Sequence, residues 1–357
     1  MEFSFGDDVK DGPLSLGLHK KGSTYDILNT DDCKLVHKDM TDILTCVREF
    51  FREKGASYYR KLQHTGYLRH LMLRRGVTSG EILVHLVTTT QEEYDLEALK
   101  DQLLALPLEG KIVGIMHILN DSLSDVVQSD ETRILYGQDY FYETLLGLKF
   151  RISTFSFFQP NSLAAEVLYN IVRDYIQNTS GMEVFDLYSG TGTIAQLLAP
   201  VAKEVIGVEI VEDAVAAARE NAKLNGLENT VSFRCADVFE LLPELEAQGE
   251  KYDVVILDPP AFTKSRNSIK NAVKGYREIN LRGLKLVKDG GFMVTCSCSH
   301  FMDPELFAKT IREASHGAHK RLRQVEFKTQ GPDHPILWAA DESYYLKFYI
   351  FQVVDER

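Results

Sequence analysis

The second half of the chain alternates between short apolar runs and segments with helical periodicity. This alternation predicts a parallel sheet with helices on both faces, because each parallel strand needs a crossover connection. The predicted strands lie at 183–188, 204–209, 231–237, 253–258 and 292–297. The helices that follow them are predicted at 193–200, 212–224, 239–247, 270–287 and 304–314.

Segments on either side of this alternation extend the prediction. The tail departs from it, and 323–330 and 344–353 are predicted to close the sheet as an antiparallel pair. Segment 161–176 predicts a helix. Its expected buried face consists of Leu163, Val167, Leu168, Ile171, Val172, Tyr175 and Ile176.

The first 150 residues mix short alternating strands such as 82–89 with helical stretches such as 41–54. We therefore predict an α/β protein with two domains. A smaller α+β domain, residues 1–155, precedes a domain of residues 156–357 that contains the mostly parallel sheet.

Composition narrows the class of protein. The 357 residues carry a net charge of −12, and the apolar runs are too short for a membrane span. The N-terminus does not resemble a signal peptide, so we expect a cytoplasmic protein with free thiols at its five cysteines. Basic side chains cluster at 48–75 and 263–288, where they could bind a polyanion or form solvated helix faces.

A glycine-rich turn follows the strand at 183–188. Gly190 and Gly192 would let the backbone approach a ligand closely, at the N-terminus of the next helix. With Ala195 they also satisfy the G-x-G-x-x-A dinucleotide fingerprint, and Glu209 ends the next strand where a ribose-binding acid belongs. The turn alone therefore leaves a nicotinamide cofactor and S-adenosylmethionine open.

Acidic residues favour S-adenosylmethionine. Asp186 lies within the turn, where a carboxylate suits a cationic sulfonium better than a pyrophosphate. Asp237 follows the third strand, and Asp258 follows the fourth in the sequence Asp258-Pro259-Pro260. An acid at the end of each of the four strands predicts a methyltransferase.

Two family resemblances follow from longer stretches. Residues 1 to about 240 resemble the 23S rRNA uracil-C5 methyltransferases through MEFSFG, GLHKKGSTYDI, FSFFQPNSLAAEVLY and DLYSGTGTIAQLLAP. This resemblance implies that Phe157, Gln159 and Asn161 contribute to the cofactor and target pocket. Residues from about 250 to 357 resemble the rRNA cytosine-C5 methyltransferases with a D-P-P-x-F motif, through DPPAF, GYREINLRGLKLVKDGGFMVTCSCS and DHPILWAADESYYLKF.

Together the resemblances imply a Rossmann-like class I methyltransferase domain at 156–357 and an RNA-facing domain at 1–155. They assign cofactor binding to Gln159, Asp186, Tyr188, Gly190, Gly192, Glu209, Asp237 and Asp258. The expected cofactor is S-adenosyl-L-methionine and the expected partner is RNA, with ribosomal RNA favoured. We predict no metal site, no membrane association and no protein partner.

The chain departs from the uracil family at two points. Cys33 stands where the fourth ligand of that family's iron–sulfur cluster would fall, but its three partners are absent, so we predict no cluster. Where the family has a proton-removing His-x-Glu, the tail has Asp333-His334-Pro335.

The expected chemistry is nucleophilic catalysis by a cysteine, since a pyrimidine C5 reacts only after addition at C6. Both families place their nucleophile in a Ser-Cys context that matches Cys298. Cys296 is the second candidate, either as nucleophile or as a thiol for product release. Asp258 would hold the target ring or handle its proton, and Phe262 could stack on the base. The RNA phosphates are assigned to Lys264, Arg266, Lys270 and Lys274.

The sequence therefore predicts an RNA C5-pyrimidine methyltransferase that acts on uracil, through a Cys298–C6 adduct. Cytosine is the alternative, because the second half resembles the cytosine enzymes. Three rivals remain: methyl transfer to an exocyclic amine, a nicotinamide-dependent oxidoreductase, and an RNA-binding remnant without catalysis.

Overall fold

A computed structural model describes residues 1–23, 25–123, 130–177, 181–263, 266–339 and 343–356. The chain divides into two compact units. One comprises Met1–Thr144 and Arg151–Phe155, and the other comprises Leu145–Phe150 and Ser156–Arg357. Strands β8 (Tyr140–Leu145) and β9 (Leu148–Ser153) form a two-stranded sheet, and their residues are divided between the two units.

The described residues of the first unit form a mixed seven-stranded sheet and two helices. The strands are β1 (Glu2–Gly6), β2 (Ser15–His19), β3 (Ile27–Asn29), β4 (Leu68–Arg75), β5 (Glu81–Thr88), β6 (Lys111–Leu119) and β7 (Glu131–Gly137). The helices are α1 (Lys38–Glu53) and α2 (Leu96–Leu104). The sheet order is β3-β2-β1-β4-β5-β6-β7, with β5 and β6 parallel and the other neighbours antiparallel.

Helix α1 shows why this unit is stable. Its apolar residues recur at helical spacing, and Ile43, Val47, Phe50 and Phe51 are all buried against the sheet. The ring of His37 caps the helix by accepting a hydrogen bond from the backbone N–H of Asp39 at 3.2 Å. Burial of this stripe, rather than helix propensity, fixes the position of α1.

The second unit contains the predicted βα alternation. Its strands are β10 (Glu183–Leu187), β11 (Glu204–Glu209), β12 (Val231–Cys235), β13 (Tyr252–Leu257), β14 (Val287–Ser297), β15 (Lys320–Lys328) and β16 (Lys347–Asp355). Its helices are α3 (Ser162–Gln177), α4 (Thr193–Leu198), α5 (Glu212–Leu224), α6 (Val238–Gln248), α7 (Ile269–Leu286) and α8 (Pro304–Gly317), with a 3₁₀ turn at Arg266–Ser268.

These strands form one sheet in the order β12-β11-β10-β13-β14-β16-β15. Strands β10 to β14 are parallel, and β16 runs antiparallel to both of its neighbours. The predicted mostly parallel sheet with an antiparallel last strand is therefore confirmed, as is the α/β class.

Helices cover both faces of this sheet, which explains its continuous apolar strands. Along β13, Val255 and Leu257 join one buried cluster with Tyr276, whereas Val254 and Ile256 join the cluster on the opposite face. Successive side chains of a strand point to opposite faces, so β13 contributes to both cores.

The prediction for the buried face of α3 is wrong in part. Leu163 and Val167 are 63% and 60% exposed, whereas Tyr169 is buried. The stripe that faces the core runs through Ala165, Tyr169, Val172 and Ile176, at spacings of four, three and four residues. The apolar side chains of Leu163 and Val167 favoured the predicted face, but Ala165 and Tyr169 pack on the core instead.

This register of α3 can be tested with two matched truncations. We expect Val172→Ala to lower the free energy of unfolding by about 1–3 kcal/mol, because it leaves a cavity in the core. Val167→Ala, which removes the same atoms from an exposed position, should change it by less than about 0.5 kcal/mol. Urea denaturation followed by circular dichroism measures both variants. Equal losses would contradict the described face.

Candidate active site in the second unit

The turn after β10 has a backbone that only certain residues adopt easily. Tyr188, Gly190 and Gly192 all have positive φ, at 65°, 53° and 74°. A Cβ on Gly192 would lie 2.5 Å from the Phe233 ring, so a glycine is required there. A Cβ on Gly190 would meet nothing within 4 Å, so this position faces open space. The turn therefore packs against the core on one side and leaves room on the other.

Three polar atoms, one near the end of β10 and two in this turn, are buried and have no hydrogen-bond partner among the residues that the structure describes. They are Oδ1 of Asp186, the hydroxyl of Tyr188 and the hydroxyl of Ser189. The other carboxylate oxygen of Asp186 accepts a hydrogen bond from the backbone N–H of Ala195 at 3.1 Å. Buried polar atoms are normally satisfied, so atoms left open in a turn of this kind indicate a ligand site.

The two acids on the neighbouring strands hold the loops in place. Glu209, at the end of β11, accepts hydrogen bonds from the backbone N–H groups of Gly190 at 3.0 Å, Ile210 at 2.9 Å and Val211 at 3.0 Å. Asp237 follows β12 and caps α6 by accepting from the N–H of Phe239 at 2.7 Å. Both carboxylates lie at the carboxyl edge of the sheet, where ligands of open α/β sheets bind.

Asp258 follows β13 and is half-buried at the same edge. Burial raises its pKa to about 6. Burial and the nearby charge of Asp258 raise the pKa of Asp186 well above its usual range. The two acids therefore share a desolvated region, and ionising one makes it harder to ionise the other.

The two predicted thiols have different environments. Cys296 lies within β14 and is buried in an apolar cluster, which raises its pKa well above its usual range. Cys298 lies one residue beyond β14 and is half-buried, with its Sγ 3.9 Å from the carbonyl oxygen of Pro259. Burial and the charge of Asp258 raise the pKa of Cys298, while Lys347 and the hydroxyl of Tyr345 lower it. The charge of Asp258 acts on both thiols, and Cys298 is in addition hydrogen-bonded by Tyr345 and influenced by the charge of Lys347.

Three side chains at this site were not singled out from the sequence. Tyr169 of α3 is buried and hydrogen-bonds the side chain of Gln159. It also interacts electrostatically with Asp258, Cys296 and Asp186. The hydroxyl of Tyr345 hydrogen-bonds the thiol of Cys298, and Lys347 is buried behind it. The last two stand in the DESYYLKF stretch that carries the resemblance to the cytosine enzymes, which was the available signal.

Residues of the FSFFQPN run have separate positions. Gln159 joins the site through Tyr169. Asn161 accepts a hydrogen bond from the N–H of Ala164 at 2.9 Å and so caps α3. Phe157 is 69% exposed.

Phe262 is half-buried in an aromatic cluster next to the glycine turn. Its ring centroid lies 4.6 Å from that of Tyr276, 6.3 Å from Phe239 and 6.4 Å from Tyr188. This packing orients the D-P-P-x-F loop against the core.

The basic run at 263–288 is divided by its ion pairs. Arg277 pairs with Glu313, and residues further along α7 and into β14 also pair with acids: Arg282, Lys285 and Lys288. Lys270 and Lys274 are exposed one helical turn apart, and neither forms an ion pair with any residue that the structure describes. Lys264 and the side chain of Arg266 lie outside what the structure describes.

The basic run at 48–75 belongs to the first unit and is mostly occupied in holding that unit together. Arg48 pairs with Asp31, and Arg75 pairs with the buried Asp39. Arg69 is buried and donates to backbone carbonyls of Asn120 and Ser122. Most of this run therefore forms neither a solvated face nor an open cationic patch.

Comparison with known families supports the sequence interpretation. The family model for tRNA (Uracil-5-)-methyltransferase matches residues 75–248, and a model for a methyltransferase domain matches residues 178–344. The resemblance of this chain to the uracil-C5 RNA methyltransferases is thereby confirmed. The first of these models ends before Asp258 and Cys298.

Two similar proteins are both described as uncharacterized RNA methyltransferases. An uncharacterized RNA methyltransferase of Clostridium tetani is 50% identical over 260 residues, which cover 73% of this chain and 56% of the relative. Another, of Clostridium acetobutylicum, is 47% identical over 274 residues, which cover 77% of this chain and 59% of the relative. The chain thus spans less than two thirds of the length of these relatives.

A solved structure shows the same fold. The tRNA (uracil-54, C5)-methyltransferase of Pyrococcus abyssi, determined in complex with S-adenosyl-L-homocysteine, aligns with a TM-score of 0.70 and 24% sequence identity. The alignment covers 99% of this chain and 75% of that one. The Rossmann-like methyltransferase fold predicted from the sequence is confirmed.

Two further features concern the residues that the structure describes. Within them, His, Cys, Asp and Glu side chains form no group of three or more that could hold a metal ion. Within them, too, no helix has the length and apolar character needed to cross a bilayer.

The raised pKa of Asp258 predicts a pH-dependent cost in stability. When the pKa of a group is higher in the folded than in the unfolded protein, the group stabilises the folded protein fully at a pH below its unfolded-state pKa. This contribution is lost as the pH rises through its folded-state pKa. For Asp258 this window runs from about 4 to about 6, and the cost above it reaches up to about 3 kcal/mol. We therefore expect Asp258→Asn to unfold at a higher temperature than the wild type above pH 7, and at a similar temperature at pH 4.

The control for this measurement is Glu250→Gln, which removes an exposed carboxylate from the same unit. Its difference from the wild type should stay flat across the same pH range. A flat profile for Asp258→Asn as well would show that Asp258 ionises without penalty.

Proposed function

We propose that the chain is an S-adenosylmethionine-dependent RNA methyltransferase that acts on C5 of uracil, with Cys298 as the nucleophile. The observation that carries this proposal is the position of the Cys298 thiol. It is half-buried, hydrogen-bonded by Tyr345, and close to Asp258 at the carboxyl edge of a methyltransferase sheet. The match of residues 75–248 to the uracil-5-methyltransferase family supports the choice of RNA and of uracil.

The methyl donor fits the turn after β10. Gly190 leaves open space, and the unsatisfied oxygens of Asp186, Tyr188 and Ser189 are acceptors or hydroxyls for a polar, cationic ligand. We assign the same ligand to Gln159, Gly192, Glu209, Asp237 and Asp258 from their places around this edge. When bound, S-adenosyl-L-methionine supplies an electrophilic methyl group.

The thiolate of Cys298 adds to C6 of the target ring, and the electron pair of the C5–C6 double bond then makes C5 nucleophilic. After C5 has gained a methyl group, it must lose its proton so that the double bond can re-form and the thiolate can leave. We assign Asp258 to hydrogen-bonding the ring, a role supported by its position after β13 and by its pKa of about 6, which makes both protonation states accessible near neutral pH. Cys296, which is buried, is the second candidate, either as nucleophile or as a thiol for product release.

For removal of the C5 proton we favour His334 over Asp333. The imidazole of His334 stacks on Tyr345, with 5.4 Å between ring centroids and 14° between planes. Since Tyr345 hydrogen-bonds Cys298, His334 is one side chain away from the nucleophile. An imidazole is also the side chain best suited to accept a proton near neutral pH.

Cytosine is the second candidate, on a specific ground. The uracil family model ends at residue 248, whereas Asp258, Cys298 and Tyr345 all lie beyond it, in the half that resembles the cytosine enzymes.

The proposed RNA contacts are Lys270 and Lys274, together with Lys264, Arg266 and Phe262 from the sequence prediction. Ribosomal RNA, in the cytoplasm, remains the proposed substrate, and a duplexed target base would have to be flipped out.

The deciding experiment uses tritiated S-adenosyl-L-methionine and rRNA from a strain lacking C5-methylpyrimidines, followed by nucleoside analysis. Label in 5-methyluridine would support the proposal, and label in 5-methylcytidine would replace it with the cytosine alternative. Binding of the methyl donor and of RNA without any label would indicate a binding remnant.

The nucleophile is tested by Cys298→Ala. We expect this variant to lose activity by on the order of a thousandfold, because C5 is not activated without addition at C6. The matched control is Cys235→Ala, which removes an exposed thiol from the same unit and should keep activity near the wild-type level. Undiminished activity of Cys298→Ala would favour methyl transfer to an exocyclic amine.

A further inference from the structure

Lys347 is a fully buried lysine at the start of β16. Lysine is rarely buried completely unless its charge is paired, because removing an ammonium group from water is costly. Among the residues that the structure describes, Lys347 forms no ion pair with a carboxylate. The mechanism above gives it no role. Its burial therefore requires a separate explanation.

The hydrogen bonds of Lys347 indicate that its side chain is an ammonium rather than a neutral amine. Its Nζ donates to the carbonyl oxygens of Ser299 at 2.6 Å, Tyr345 at 3.0 Å and Tyr344 at 3.5 Å. An ammonium has three N–H donors, whereas a neutral amine has two and would direct its lone pair at the third carbonyl. Three carbonyl acceptors thus match the charged form.

These contacts place a positive charge directly behind the candidate nucleophile. Ser299 follows Cys298 in the chain, and Tyr345, whose carbonyl accepts from Lys347, uses its hydroxyl to hydrogen-bond the Cys298 thiol. Lys347 therefore joins the two segments that position the thiol. Burial lowers the pKa of Lys347 to about 8, and the negative charge of Cys298 acts against that decrease.

We propose that Lys347 is a positioning residue whose buried ammonium group stabilises the thiolate form of Cys298. This inference rests on the proposed role of Cys298 as nucleophile. In the low-dielectric site, the ammonium and the thiolate compensate each other's desolvation, so removing the cation leaves the thiolate harder to form. The attacking species is the thiolate, so the charge of Lys347 sets the fraction of protein ready to react.

Other titratable groups also shift the pKa of Cys298, so they must remain unchanged if the test is to report the effect of Lys347 alone. Asp258 opposes formation of the thiolate, and Tyr345 supports it by donating a hydrogen bond. On the Lys347 side, the charge of Asp303 also favours the ammonium. The groups that act on the thiol or the ammonium are Asp258, Tyr276, Cys296, Asp303 and Tyr345, and the rings of His300 and His334 pack against Tyr345. The test therefore leaves all of them unchanged.

The experiment measures the rate of alkylation of Cys298 by iodoacetamide between pH 6 and 11, a range that extends above the raised pKa of this thiol, in the full chain, with the site assigned by fragment-ion mass spectrometry. The midpoint of the rate against pH reports the thiol pKa. For Lys347→Met we expect alkylation at pH 7, where Lys347 is still charged in the wild type, to be about tenfold slower, and the midpoint to rise by up to about one pH unit. Lys347→Arg, which keeps the charge, should stay within about threefold of the wild type.

A matched control is Lys320→Met. Lys320 is also a buried lysine of the same sheet, donates to the carbonyl of Val287 at 3.1 Å and pairs with Asp355, and we expect its removal to leave the Cys298 midpoint unchanged. If Lys347→Met does not fold, Lys347→Gln, which retains two donors without the charge, takes its place. Circular dichroism and thermal unfolding establish folding for each variant.

The midpoint separates an electrostatic role from a purely structural one. Loosening of the two segments would raise the plateau rate at high pH without moving the midpoint, and an unmoved midpoint in a folded Lys347→Met or Lys347→Gln variant would overturn the inference. Alkylation needs neither RNA nor methyl donor, so its result is independent of the methylation assay. Absence of methyl transfer by the wild type would defeat the proposed function, while the shifted midpoint would still establish the ion pair.

Discussion

Parallel strands bring their carboxyl ends to one edge of a sheet, and the second unit places its polar chemistry at that edge. Asp186 lies one residue before the end of β10, and Asp258 and Cys298 directly follow β13 and β14; these three strands are adjacent in the sheet. The two apolar layers that cover the sheet also exclude water from these groups, so the same packing that stabilises the fold makes each charge costly. The pKa shifts of Asp258, Cys298 and Lys347 have this common cause.

That cost explains why the site contains charges of both signs. Two carboxylates alone are harder to ionise here, as the raised pKa of each shows. In the proposed mechanism, the buried ammonium of Lys347 stabilises the thiolate of Cys298 at one end of this edge. The unsatisfied oxygens at the glycine turn would bind a cationic or polar ligand at the other end. Strain and unpaired polar atoms are typical of functional sites, where the rest of the fold offsets them.

The sequence predicted the sheet well and the side-chain register less well. Strand β11 and helix α5 have the predicted bounds, because each is a short apolar or amphipathic run ended by polar residues or a turn. For α3 the apolar count pointed to Leu163 and Val167, and the facing surface selected Tyr169. Lys347 was missed because one lysine beside an apolar strand looks like a surface residue, and only the three converging carbonyls show otherwise.

The choice between uracil and cytosine depends on atoms at the far side of the ring from C6. Addition of a thiolate at C6 and methylation at C5 are common to both bases, so Cys298 and Lys347 do not discriminate between them. Uracil presents an N3–H donor and an O4 acceptor, whereas cytosine presents an N3 acceptor and an amino donor. In the proposed role, Asp258 is a donor below its pKa of about 6 and only an acceptor above it, so its protonation state changes which atoms of a base it can contact. An ionised Asp258 accepts from the cytosine amino group or from the uracil N3–H, while a protonated one can donate to the uracil O4 or to the cytosine N3. Either base therefore fits either protonation state of Asp258, so further contacts to the ring must select the base.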